Sequence, residues 1–408
     1  MKRDIRQKLG VDKWIKSGCR GTLQWAPGVG KTRAGILGIK VFLSKNKGKK
    51  VVVVVPSEYL KLQWIQELNK SKLFNEVNVE IINSAIKLNS PVDLLILDEA
   101  HKIGSTTFYS IFNVRTPKLV LGLSAVFSRL DGRHELLNAF CPVCDIITVQ
   151  EAIDNNWIST YIEYKVLIEP DDIAEYNEYS TSFYDSFAVF NFDFQVGLKC
   201  LTNIIYRRTY GKSMGISVKE MDAITFTWNR ALQARKKYIT DHPIKLRIAE
   251  KILNARRNSK AVTFSATIKQ AEKFKYGFIL HSGKTKKKNR ITLQEFNNVE
   301  TGVIHSSKSL DEGVDIPGLN LAIILCNNSS GSQKTQRIGR VTRQQEGKEA
   351  EIFTLVLKGT SEESWYNTST SGKEYIEINE EELDLVLKNT PINKIKQEAV
   401  ASELLFRI

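Results

Sequence analysis

Short, uninterrupted apolar runs separated by longer amphipathic stretches set the pattern of the first 130 residues. Thr22-Leu-Gln-Trp25, the five valines from Val51 to Val55, Asp93-Leu-Leu-Ile-Leu97 and Leu119-Val-Leu-Gly-Leu123 read as strands apolar on both faces. Such strands belong to parallel sheets covered by helices on each side, where no face meets water. A second set begins near residue 260, with Ala261-Val-Thr-Phe264, Val303-Ile304, Leu321-Ala-Ile-Ile-Leu325 and Ile352-Phe-Thr-Leu-Val-Leu357. Two α/β units are therefore expected. Residues 151–258 break the pattern: after Tyr164-Lys-Val-Leu-Ile168 they read as helical, acidic and aromatic over 172–187, then basic around Trp228 and Leu232. A helix opened by Asp241 and Pro243 runs to Arg257. The expected divisions are 1–150, a helical connector over 151–258, a second unit over 259–358 and an acidic helical tail over 359–408.

Composition narrows this picture only a little. The chain has 408 residues, 42% hydrophobic and 25% charged, which excludes a disordered chain or a fibre. No apolar run approaches the roughly 20 residues that span a bilayer, and Met1-Lys-Arg-Asp4 opens no signal peptide. A soluble, intracellular protein that contacts no membrane is expected. Cys19, Cys141, Cys144, Cys200 and Cys326 are too scattered for a disulfide framework, and Cys141-Pro-Val-Cys144 alone supplies half a zinc site.

Charge changes it more. The formal net charge is +14, yet residues 1–50 hold 14 basic and 2 acidic side chains, and residues 201–300 hold 22 and 7. Two separate blocks carry the whole excess, either as solvated faces or as a split polyanion-binding surface. Arg207-Arg208, Lys212 and Arg235-Lys-Lys237 offer a clamp on phosphates, and Tyr206, Tyr210 and Trp228 offer rings for stacking or for core packing.

The candidate chemistry lies at the strand ends. Ala26-Pro27-Gly28-Val29-Gly30-Lys31-Thr32 follows the first strand and opens a helix. Glycines there let backbone N–H groups turn toward phosphate oxygens, while Lys31 reaches the β and γ phosphates and Thr32 offers a hydroxyl to Mg²⁺. Asp98-Glu99-Ala100-His101 follows another buried strand, where open α/β sheets bind ligands. One carboxylate can serve the metal while the next polarises water. In Gln333-Lys-Thr-Gln336-Arg337-Ile-Gly339-Arg340-Val-Thr-Arg343, two guanidinium groups three residues apart share a helical face and can reach a γ-phosphate.

These segments, in this order, resemble the motifs of superfamily 2 helicases and translocases of the DEAH-box variety. Val53-Val-Val-Pro56-Ser57 with Leu60-Lys-Leu-Gln63-Trp64, Leu123-Ser124-Ala125-Val126, Phe264-Ser-Ala-Thr267 and Leu310-Asp-Glu-Gly313-Val-Asp315-Ile-Pro317 look like the intervening motifs. The resemblance implies two RecA-like domains facing across a cleft that holds ATP and Mg²⁺, with a nucleic-acid strand over both. It implies that Lys31 and Thr32 bind phosphate and magnesium, Asp98 the metal, and that Glu99 is the base. His101 and Gln336 would couple cleft to strand, Gly313 and Asp315 would approach the ribose, and Arg340 and Arg343 would be the fingers. Gln7 is placed like the family's adenine-reading glutamine. The overall look is closest to compact phage-type DNA helicases of the UvsW kind and to restriction and repair translocase motors, in a phage or bacterial setting.

Val126 departs from the family's Ser-Ala-Thr, so the element coupling hydrolysis to strand separation differs while the hydrolytic residues are intact. The expected function is an ATP-dependent, monomeric helicase or translocase that tracks DNA rather than RNA, without base specificity, targeted by nucleic-acid structure or by a protein partner. An RNA helicase and an ATP-switched nucleic-acid clamp with little turnover are the alternatives.

Overall fold

The computed structural model describes residues 1–104, 109–125, 134–307, 316–327, 331–341, 349–370, 374–389 and 397–398. The chain opens with α1 (Arg3–Lys16) and β1 (Arg20–Trp25), then α2 (Lys31–Lys45), β2 (Val51–Val55) and α3 (Glu58–Lys70). β3 (Val77–Ile81), β4 (Leu94–Asp98), β5 (Leu119–Ser124) and β6 (Val143–Ile147) complete a six-stranded sheet ordered β3-β2-β4-β5-β1-β6. Every neighbouring pair in it is parallel.

The valine run shows why such strands are uniformly apolar. Val51, Val53 and Val55 face one core with Leu94, Ile96 and Leu121. Val52 and Val54 face another with Leu95, Leu97 and Val120. Each fully buried valine is worth roughly 1.5–3 kcal/mol, so a charged residue at Val53, which is 0% exposed, would break the pairing of β2 with both its neighbours.

The second sheet has eight strands in the order β14-β13-β7-β12-β11-β8-β10-β9. They are β7 (Tyr161–Ile168), β8 (Lys260–Ser265), β9 (Phe278–His281), β10 (Gly302–Ser307), β11 (Leu321–Ile324), β12 (Ala350–Leu357), β13 (Glu374–Ile378) and β14 (Gln397–Glu398). All pairs are parallel except β13 with β14. Its two faces again alternate, Leu321 and Ile323 to one core and Ala322 and Ile324 to the other.

Two of the expected divisions differ from this sheet. The segment 151–258 is not only a helical connector, because β7 pairs with β12 along its whole length. The tail over 359–408 is not only helical, because β13 adds beside β7. Burial explains the first case: Tyr164, Val166 and Ile168 all enter the second core.

Between β7 and β8 stand the helices Ile173–Ala188, Phe194–Thr202, Ile204–Ser213, Val218–Asp241 and Pro243–Ala255. The first four have a core of their own around Phe183, Phe190, Cys200, Met221 and Trp228. Trp228 is 0% exposed there and cannot stack on a base. Tyr206 and Tyr210 stack on each other at 6.1 Å, and the Tyr210 hydroxyl donates to the Val189 carbonyl. Arg207 is spent on Asp222 at 2.6 Å. The exposed clamp candidates that remain are Arg208, Lys212, Lys236 and Lys237.

No helix of the described residues is long and apolar enough to cross a membrane. Among them no group of three or more His, Cys, Asp or Glu could hold a metal ion. Burial pushes the Cys141 and Cys144 thiols up to about 11, which suits packing and not reactivity.

Candidate active site between the two sheets

The loop after β1 turns on Gly28 and Gly30, with φ of 82° and 96°, a left-handed region that β-carbons disfavour. α2 starts at Lys31 with no side chain capping it. Its first N–H groups and the positive end of its dipole therefore remain for an anion. The loop is braced from below by α1. Arg3 donates to the carbonyls of Gly28 and Val29, the latter at 3.0 Å, and Gln7 Nε2 donates to Val29 O at 2.8 Å. Arg3 and Gln7 stand four residues apart and so share one helical face. A Cβ on Gly30 would lie 2.4 Å from Gln7 Nε2, so the loop closes on that amide only with glycine there. α1 itself is fastened by Arg6 to Asp145 at 2.6 Å and to Glu151 at 2.9 Å.

β5 lies between β1 and β4, so Ser124 at its end sits between the phosphate loop and the two carboxylates. Asp98 is 5% exposed; its Oδ2 accepts from Trp64 Nε1 at 2.8 Å and its Oδ1 from the Glu99 N–H at 3.0 Å. Burial, reinforced by the neighbouring Glu99 charge, pushes the Asp98 carboxyl up to about 6, against the pull of Trp64 and Lys31. Glu99 has a φ of 51°, a left-handed conformation that costs a non-glycine residue about 1 kcal/mol or more. Its Oε2 is buried and makes no hydrogen bond, with His101 Nδ1 3.5 Å away. His101 Nδ1 also lies 3.0 Å from Ser124 Oγ, which joins the carboxylate segment to β5. Lys31 Nζ donates to Trp25 O at 3.2 Å, inside the loop.

The second sheet closes the cleft. Pro27, Gly28, Gly30, Lys31, Thr32, Asp98 and Glu99 share a cavity of about 440 Å³ with Gln336 and Gly339 of the Gly331–Val341 helix. Gly339 meets Pro27 so closely that a Cβ there would lie 2.1 Å from the proline Cβ. That helix is held by its own buried ion pair: Lys334 Nζ lies 2.5 Å from Glu163 Oε1 of β7, which also accepts the Tyr366 hydroxyl at 2.9 Å.

The structure thus brings Lys31, Thr32, Asp98, Glu99 and Gln336 to one cavity, with Pro27, Gly28 and Gly30, and places His101 behind it. Val29 is fully buried and lends its carbonyl to Arg3 and Gln7. Gln7 is 1% exposed and lies against the loop, outside the cavity wall. Arg340 lies on the Gly331–Val341 helix. Gly313, Asp315, Arg343 and Val126 lie outside the described residues. Sequence reasoning gave no role to Arg3, Ser124, Lys334 or the Trp64 to Asp98 bond. Arg3 carried a signal in its spacing of four from Gln7, and Trp64, Ser124 and Lys334 stood inside motif segments whose contacts the sequence does not show.

A phosphate loop and paired carboxylates on one parallel sheet, closed by a motif helix from a second, define an ATP-hydrolysing motor of two RecA-like units. The comparisons agree. Residues 3–90 match the family model "Type III restriction enzyme, res subunit", and residues 244–345 match "Helicase conserved C-terminal domain". The DNA 3'-5' translocase XPB2 of Sulfurisphaera tokodaii is 26% identical over 378 residues, which covers 87% of this chain and 82% of that protein. Among solved structures, S. cerevisiae Dbp5 bound to RNA and ADP BeF3 aligns with a TM-score of 0.58 at 14% identity, over 94% of this chain and 91% of that one. The restriction-modification enzyme LlaBIII bound to DNA aligns at 0.54 and 15% identity, over 88% of this chain and 28% of that one, so these two show the fold alone. The two family models and the XPB2 relative support reading the chain as a superfamily 2 helicase or translocase. It is an ATP-dependent nucleic-acid motor.

Proposed function

We propose that this motor tracks DNA, hydrolysing ATP in the cleft between the sheets and moving one sheet relative to the other along a strand. The observation that carries the reading is Glu99 Oε2, a buried carboxylate oxygen without a hydrogen bond, in one cavity with Lys31, Thr32 and Gln336. Such an oxygen is suited to accept a proton from water attacking the γ-phosphorus as the β–γ oxygen bond breaks. Lys31 and the N–H groups at the start of α2 hold the phosphates. Thr32 and Asp98 would hold Mg²⁺. A single buried carboxylate and a hydroxyl fit an ion that keeps water and phosphate ligands, whereas no all-protein cage exists among the described residues. Bound there, the ion would neutralise developing phosphate charge. Arg340 and Arg343 are assigned to the same charge from the second unit, Gly313 and Asp315 to the ribose, and His101 with Gln336 to coupling. Gln7 Oε1, buried without a partner, is assigned to the adenine amino group.

DNA is preferred because a relative matched over 87% of this chain and 82% of its own length is named a DNA translocase. Steady-state ATPase measurements with no nucleic acid, single-stranded DNA, duplex DNA and RNA test the reading. DNA should stimulate turnover most, and Glu99→Gln should lower it by orders of magnitude. Turnover indifferent to nucleic acid, or unchanged in Glu99→Gln, would sink it.

A further inference from the structure

A groove of about 980 Å³ lies between the helical insertion and the second sheet, more than twice the volume of the 440 Å³ ATP cleft. Its floor is the carboxyl ends of three parallel strands, represented by Ser265 at the end of β8, Asn327 after β11 and Thr360 after β12. Crevices at such strand ends are where open α/β sheets take ligands. Its far wall is made by the helices Ile173–Ala188 and Val218–Asp241.

The chemistry of the lining points to an anion with flat faces. Among the described residues that line it, Arg235, Lys236 and Arg337 are cationic and none is Asp or Glu. Arg235 is 7% exposed, and its guanidinium is boxed by rings, 4.5 Å from the Phe183 centroid and 5.1 Å from that of Tyr184. It donates to the Tyr176 hydroxyl at 3.1 Å, while its Nε has no hydrogen-bond partner. Ser265, 1% exposed, likewise leaves its Oγ without one. A guanidinium so far out of water without a carboxylate is stable only because the rings shelter it, and an arriving anion would be strongly favoured. At the rim, Tyr184 and Phe194 are 52% and 40% exposed, so their rings remain open to a stacking partner.

We propose that this groove holds an unstacked base of a single nucleic-acid strand together with its flanking phosphates, so that the insertion grips the strand against the second sheet. Tyr184 and Phe194 stack on the base, and Arg235 and Lys236 bind the phosphates on either side of it. A strand is chosen over a free nucleotide because the groove exceeds the nucleotide-sized ATP cleft in volume more than twofold. The assignment rests on the reading of the chain as a strand-tracking motor and adds to it the insertion as a base-holding element.

The test compares two fluorescein-labelled oligomers of about 16 nucleotides, oligo-dT and its abasic counterpart, with the full chain and a non-hydrolysable ATP analogue. Tyr184→Ala should weaken oligo-dT binding roughly tenfold and leave abasic binding unchanged, since a stacked base contributes that much. Lys236→Ala should weaken both alike and flatten the salt dependence. Thermal melts check that each variant folds; both positions are exposed, but Tyr184 also packs on Phe183 and Arg235, so Tyr184→Phe, which keeps the ring, should bind both oligomers as the parent does. The assignment is overturned if Tyr184→Ala weakens both oligomers equally or neither, or if free dTMP competes as well as oligo-dT. A parent chain that binds and is stimulated by oligo-dT, beside variants that bind it equally well, removes the groove and keeps the motor. A parent that is not stimulated removes the motor reading itself.

Discussion

Replacing Asp98 by Asn should make the protein more stable and inactive. The Asp98 carboxyl is pushed from 3.8 up to about 6, chiefly by burial and then by the Glu99 charge. At 1.36 kcal/mol per pH unit, holding it ionised in the fold costs on the order of 3 kcal/mol at neutral pH. Asn keeps the shape and can still accept from Trp64 Nε1, but its amide confronts the Glu99 N–H that now donates to Oδ1. That lost hydrogen bond takes back about 1 kcal/mol. The net gain of roughly 2 kcal/mol corresponds to a melting temperature about 4–8 °C higher for a domain of this size. The sign follows from proton binding: between pH 3.8 and about 6 the folded chain binds the proton more tightly than the unfolded chain. The penalty is therefore full above about pH 6 and fades as the pH falls toward 4, and the variant's advantage fades with it. Differential scanning calorimetry without nucleotide, at several pH values, measures this directly, and a parallel ATPase assay should find turnover lost. A variant that melts at or below the parent temperature at neutral pH, or whose advantage does not shrink on acidification, would refute the account of Asp98 as a charge held at the expense of stability.

Gly339→Ala should lower ATPase turnover by about tenfold or more, because its Cβ would meet Pro27 at 2.1 Å and keep the sheets from closing; melting should change little, and unchanged turnover would remove the contact from the mechanism. Lys334→Met should destabilise the second unit by about 3–5 kcal/mol by leaving Glu163 buried and unpaired, with Glu163→Gln in the same chain recovering much of the loss in a denaturant titration. Gln7→Ala should narrow the preference for ATP over GTP in competition assays while leaving the oligo-dT affinity of the nucleotide-free chain unaltered.

Much of the fold could be read from the sequence because burial on both faces leaves an unmistakable trace. The Val51–Val55 strand is one example, since no solvated strand is apolar at five successive positions. What escaped reading is equally physical: the place of the run Tyr164–Ile168 in the second sheet, and β13 altogether. β7 and β13 carry Glu163, Lys165 and Glu377, charges that look like surface but pair inside the structure, Lys165 with Glu377 at 2.8 Å and Glu163 with Lys334. A sequence shows each charge and not its partner 171 or 212 residues away. The basic blocks misled in the same manner: Arg6, Arg207 and Arg235 count toward the excess but are buried, two of them in ion pairs. The candidate site was legible at Lys31, Thr32, Asp98 and Glu99, where chemistry fixes residue types along a short stretch of chain. It was not legible at Trp64, whose bond to Asp98 spans 34 residues.

The Gly331–Val341 helix turns successive residues to different tasks: Gln336 and Gly339 line the cleft proposed for ATP, whereas Arg337 lines the groove beneath the insertion. Whatever occupies the groove and shifts this helix must alter the affinity for ATP, and ATP must alter the affinity for that occupant by the same factor, because the two binding free energies close one thermodynamic cycle. Equality of those two factors can be measured without watching the motor move, and hydrolysis then serves as the step that prevents the cycle from running backward.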